Sequence, residues 1–170
     1  MNQPRLKVPL VLLVALLLHT AVMGHMRVAG VAPDLMVLIP IVGGLTAGPE
    51  RGAAFGFFTG LAVDLVVQTT PLGLSALSFS TVGYTVGVLE AGILRSSWWI
   101  PPATALVGSA AGEALYAVSG ALVGQTQLVT NRLGLIVLVV GAFNAAFALP
   151  VLRIVRWSMQ GGTPSPARFM

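Results

Sequence analysis

The sequence predicts an all-α polytopic membrane protein, a compact bundle of six transmembrane helices. Three observations point there. Only 8% of the residues are charged and 56% are hydrophobic, whereas a soluble domain carries about 25% charged residues. The apolar residues fall in runs of about 17–23, long enough to cross a bilayer. The runs are separated by short stretches rich in Pro, Gly, charge or polar groups, namely MRVAGVAP, GPER, QTTP, RSSWWIPP and GQTQLVTNR, which break helices.

The six spans, each with bounds good to about two to four residues, are 8–24, 31–47, 52–68, 72–94, 100–123 and 133–152. The first follows Arg5 and Lys7 and resembles a signal peptide, but no convincing small-x-small cleavage site follows it. An uncleaved first helix is the better reading. The loops are so short that neighbouring spans must run antiparallel. The expected organisation is one six-span domain over 1–157 and a short cytoplasmic tail over 158–170.

Orientation follows from the basic residues. With the N-terminus in the cytoplasm, Arg5, Lys7, Arg51, Arg95, Arg153, Arg156 and Arg168 fall inside, and only Arg27 and Arg132 fall outside. That bias favours this topology, with both termini cytoplasmic. Trp98, Trp99 and Trp157 sit where aromatic rings anchor helices at headgroup depth.

Several chemistries drop out. The net charge of +4 is spread over membrane flanks, not gathered into a basic patch that would bind nucleic acid. Without cysteines there are no disulfides, thiolate metal sites or Cys nucleophiles. His19 and His25 lie near the first loop with no carboxylate-rich neighbourhood, so neither a metal nor any other cofactor is expected.

The stretch GLTAGPERGAAFGFFTGLAVDL, 44–65, places Gly44, Gly48, Gly52, Gly56 and Gly60 at every fourth position, and the next step lands on Asp64. In lipid, helices associate by close packing, so small residues line their contacts. A row at this spacing drifts about 40° per step around the helix. Gly52, Gly56 and Gly60 then form a slowly winding groove for a crossing partner. Gly44 and Gly48 precede Pro49, and their agreement in phase reads as partly accidental. Gly83 and Gly87 repeat the spacing in the fourth span. Gly108, Gly112, Gly120 and Gly124 do so in the fifth.

Three acids lie within spans. Asp64 sits near the outer end of the third, close to the level of Asp34, so a cluster with Arg27 or Arg132 is geometrically allowed. Glu90 is within reach of Arg95 and Arg51. Glu113 is deeper and has no local cation. The preferred reading makes them interhelical hydrogen-bond partners, with a substrate or proton site and contact with a partner subunit as the competing ones. The fourth span carries Ser75, Ser78, Ser80, Thr81, Tyr84 and Thr85, which suggests a central, protein-surrounded helix. Asn144 is a candidate cross-helix donor.

An intramembrane aspartyl protease would need two carboxylates sharing a water. FNAAF at 143–147 has Phe where the second acid of a lipoprotein signal peptidase would stand. No catalytic residue is assigned and no enzyme is expected. The stronger rival is a small-solute (vitamin) binding subunit of an energy-coupling-factor transporter, also a small six-span protein.

PDLMVL at 33–38, GAAFGFFTGLAVDL at 52–65, PLGLSAL at 71–77 and VGYTVG at 82–87, in that order, resemble the rod shape-determining protein MreD family over essentially the whole chain. GFFTGLAVD followed by PLG is the most specific part. The resemblance implies a non-enzymatic scaffold of the bacterial elongasome in the cytoplasmic membrane. Such a scaffold binds the single-span protein MreC and indirectly supports RodA, a class B penicillin-binding transpeptidase and MreB. It also implies a fold similar to the energy-coupling-factor substrate-binding subunits. Pro33, Asp34, Gly56, Gly60, Asp64, Pro71, Gly73, Gly83 and Tyr84 are the family-like positions. Gly52, Gly87 and Glu113 join them from the residue reading, all with a structural or partner-docking role. The span of MreC is expected to lie in the groove of Gly56 and Gly60.

Overall fold

The computed structural model describes residues 4–23, 27, 30–66, 71–92 and 98–159. Those residues form helices joined by short connections. Helix α1 spans Pro4–Leu18 and continues into one wide π-type turn, His19–Met23. It is followed by α2 (Leu38–Ala47), α3 (Pro49–Val66), α4 (Leu74–Gly92) and α5 (Ile100–Leu122). A 3-10 turn over Thr126–Leu128 leads to α6 (Leu133–Met159).

Two of these helices, α5 and α6, are both long and apolar enough to cross a bilayer. The long α6 continues past Arg153 and Arg156, because cations suit the last turns of a helix. Of the expected tail, residues 160–170 lie outside the described residues.

The expected second span, 31–47, is not one helix. Its helical part has ten residues, or roughly 15 Å, half of a hydrocarbon core of about 30 Å. Pro40 favours this start, although Pro150 is accommodated inside α6. It occupies the first turn of α2, where an N–H has no intrahelical partner anyway. A helix extended back to residue 31 would bury Pro40 in its interior and drive the ring into the Met36 carbonyl. The chain therefore runs non-helically through 31–37, although Pro33, Met36 and Val37 are buried. Non-helical backbone inside a membrane protein needs protein partners, and here it has them. Asp34 Oδ1 accepts the Met36 N–H at 2.7 Å, and Leu38 N donates to Leu35 O at 3.1 Å. Asn144 Nδ2, from α6, donates to Asp34 O at 2.8 Å.

Short as it is, α2 is the central post. Leu38 through Gly44 are all buried. On one side Met36, Val37, Ile39 and Ile41 pack with Val63 of α3, Phe79, Val82 and Val86 of α4, and Val140 of α6. On the other, Leu38 and Val42 meet Ala105 of α5 and Ala148, Leu152 and Val155 of α6. In lipid such contacts hold by dispersion, about 0.1–0.2 kcal/mol for each well-placed atom pair. At the opposite ends of their helices, Lys7 Nζ lies 4.9 Å from the centre of the Trp157 ring, tying the start of α1 to the end of α6.

The distribution of polarity is inverted relative to a soluble protein. Leu13, Leu17, Phe57, Phe58, Leu77, Val107, Leu138 and Ile154 are exposed, while Thr59, Asp64, Ser75, Ser78, Ser109 and Asn144 are buried. An apolar exterior around a core with bonded polar groups suits lipid.

Candidate functional site

The residues singled out in the third and fourth spans come together along one seam between α3 and α4. A Cβ placed on Gly56 would fall on the backbone of Phe79 and Ser80, and one on Gly60 on the backbone of Ser75 and Ala76. Gly52 and Gly83 are reciprocal, each filling the space of the other's missing side chain. Gly87 abuts the backbone of Gly48 and Pro49, and Gly44 abuts that of Gly83 and Gly87. Backbone cannot move aside as a side chain can, so these positions admit only glycine.

Two expectations are thereby corrected. The stripe on α3 is not an open groove for another protein's span, because α4 fills it. Nor is the phase of Gly44 accidental: the one-residue link at Gly48, at φ +86°, folds α2 back so that Gly44 enters the same seam.

Asp64 ends the stripe for a reason of its own. It is 3% exposed, and its carboxylate reaches over to the start of α4. Oδ2 accepts the N–H of Gly73 at 2.8 Å and of Ala76 at 3.3 Å, and Oδ1 accepts that of Ser75 at 3.2 Å. The first N–H groups of a helix lack intrahelical acceptors, and the helix dipole favours an anion there. A residue of α3 thus does the work of an N-cap for α4. The turn that presents these donors is built by Pro71 and Gly73. Leu74 N donates to Pro71 O at 3.3 Å, and Gly73 takes φ +99°, open to glycine but strained for other residues. Six of the nine family-like residues, Gly56, Gly60, Asp64, Pro71, Gly73 and Gly83, therefore belong to one construction.

Asp34 and Asp64 do not share an arginine: among the described residues no carboxylate pairs with Arg27 or Arg132, both exposed. Asp34 instead faces His19, whose Nδ1 lies 3.5 Å from Asp34 Oδ1. The sequence suggests no carboxylate-rich neighbourhood for this histidine, and the one acid paired with it is hidden by 15 residues of sequence separation. Both line a cavity of about 250 Å³ that also takes in Pro33, Ser75, Phe79, Glu113 and Tyr116. Glu113, without a local cation in the sequence, is thus grouped with a second acid.

Asn144 is the cross-helix donor expected of it: besides Asp34 O it reaches Ser109 Oγ at 2.8 Å. Ser109, fully buried, was not singled out by sequence. The only signal was its place beside Gly108 on the small-residue face of α5. Tyr84 lies apart, exposed on α4. Among the described residues Glu90 makes no ion pair with Arg51, and Arg95 lies outside them.

Four hydroxyls of α4 are satisfied within their own helix, and two of those residues, Thr81 and Thr85, border a cavity of about 530 Å³ between α4 and α5. Ser78, Ser80, Thr81 and Thr85 each donate to the carbonyl four residues back, at 3.0, 2.6, 2.8 and 2.8 Å. Such back-bonding satisfies a hydroxyl within its own helix. Helix α4 is not surrounded by protein on all sides: Leu77, Thr81, Tyr84 and Thr85 face outward.

No curated protein and no solved structure matches the chain. The family model of rod shape-determining protein MreD matches residues 3–107. That range holds every family-like residue of the seam and stops short of the whole-chain extent suggested by motif order, leaving Glu113 and α6 outside. It covers more than half of the sequence, and on that ground the chain belongs to the MreD family of membrane proteins that determine rod shape.

Proposed function

We propose that this protein is a non-enzymatic scaffold of the elongasome. It spans the cytoplasmic membrane six times with both termini inside, binds MreC, and through it supports peptidoglycan synthesis by RodA and its partner transpeptidase, in register with MreB. The observation that carries this reading is the seam. The residues most typical of the family lock α2, α3 and α4 backbone to backbone, and a rigid platform is what a docking protein needs. None of the seam residues is a nucleophile paired with a base. The partner's span then lies on an outward face, such as that of Thr81, Tyr84 and Thr85, and not in the glycine stripe.

Affinity purification of the tagged full-length chain from native membranes tests this. Recovery of MreC is expected. Recovery of transporter ATPases with a bound small molecule, and no MreC, would establish instead the energy-coupling-factor solute-binding reading, which the acid-lined cavity favours.

A further inference from the structure

Two cavities meet where α6 begins. The acid-lined one, of about 250 Å³, has Asp34 and Glu113 in its wall and no lysine or arginine. Its neighbour, of about 300 Å³, is lined by Thr130 and Arg132 and has no acid. Ala32 and Ile136 line both, so the two compartments adjoin. Their electrostatics are opposite. The second contains Arg132, beside the N-terminus of a 27-residue helix, which carries a partial positive charge.

The first compartment is incompletely satisfied. His19 Nδ1 is wholly buried and makes no hydrogen bond. The carboxylate of Glu113 has no hydrogen-bond or ion-pair partner among the described residues. Ionisable groups at membrane depth are costly and are kept where they pair or bind, and removing one partner of a buried pair leaves a charge uncompensated. A histidine beside Asp34 leaves Glu113 unmatched. A metal ion does not answer the need, since no three His, Asp or Glu side chains among the described residues converge on one point. An ammonium group does, because its several N–H donors bridge separated carboxylates, and the rings of Phe79 and Tyr116 in the same wall suit a cation.

We propose that the paired cavities form a binding site for a small zwitterion. Its protonated amine sits between Asp34 and Glu113, and its phosphate meets Arg132 at the start of α6. Together the two compartments fall within the range of small-ligand sites, about 300–1,000 Å³. Such a ligand reaches the site either free or as the headgroup of an aminophospholipid. The proposal stands on the cavities alone and does not require that MreC binds.

Thermal unfolding of the purified full-length protein separates the possibilities. In detergent the probes are free phosphoethanolamine, ethanolamine and inorganic phosphate. In nanodiscs they are phosphatidylethanolamine against phosphatidylglycerol. A bound zwitterion at a hundredfold excess over its Kd raises Tm by roughly 5–10 °C, with ethanolamine or phosphate alone giving much less. A response to free phosphoethanolamine identifies a soluble ligand, and a response to the lipid alone identifies a headgroup. Glu113→Gln and Arg132→Gln should each raise the Kd at least tenfold. Arg132 is exposed, so its variant folds and decides the matter even where Glu113→Gln does not. Absence of any shift in both settings, or a shift that persists in Arg132→Gln, would overturn the proposal.

Discussion

The carboxylate of Asp64 accepts the N–H of Gly73 at 2.8 Å across nine residues of sequence, capping a helix to which Asp64 does not belong. Removing a local N-cap costs about 0.5–2 kcal/mol. Here three donors, two of them in buried bonds, lose their acceptor, and a buried group left without its hydrogen bond costs about 1–3 kcal/mol. Asp64→Ala should therefore lower Tm in detergent well below that of wild type, and Asp64→Asn, which keeps one acceptor oxygen, by less. An Asp64→Ala protein that melts like wild type would refute the capping role.

Gly56→Leu should not merely weaken a partner contact. Its side chain would meet the backbone of Phe79 and Ser80, and overpacking of tight contacts costs about 1–3 kcal/mol or more. The expected result is loss of monodisperse protein on size-exclusion chromatography. Gly134→Ala is the control. Nothing lies within 4 Å of its Cβ position, and alanine is favoured over glycine in a helix by about 1 kcal/mol. Normal chromatography of Gly56→Leu would mean that the seam opens.

Gly73 separates conformation from space. A Cβ there meets nothing within 4 Å, yet φ is +99°. Gly73→Ala should cost about 1–3 kcal/mol of backbone strain, read as a lower Tm. Combined with Asp64→Ala, it should cost less than the sum of the two changes, because both act on the same cap. Strict additivity would show that the turn and the cap are independent.

Asn144→Ala leaves the Asp34 carbonyl and the Ser109 hydroxyl without their shared donor. A buried polar group left unpaired costs about 1–3 kcal/mol. Protection of the 31–37 backbone in hydrogen exchange should fall more than that of the α3–α4 seam, since Asn144 props the non-helical segment. A uniform fall over the whole chain would contradict this local role.

Helix ends set by punctuation were legible in the sequence. The expected spans 52–68, 72–94 and 100–123 correspond to Pro49–Val66, Leu74–Gly92 and Ile100–Leu122, because Pro, Gly and polar loops act locally. The interruption of the second span was missed, since hydropathy averages over Pro40 and gives it no weight against its apolar neighbours. The family-like residues could be named from their order, but whether Gly56 faced another protein or α4 could not.

What the sequence determined alone was the solvent and the currency of packing. Few charges and long apolar runs demand lipid, and lipid demands helices that meet through small residues. Only the tertiary structure decided which surfaces meet: that Gly52 abuts Gly83, that Asp64 caps α4, and that His19, Asp34 and Glu113 wall one cavity. Spacing along a chain fixes which residues share a helix face, but what that face touches depends on where distant segments pack.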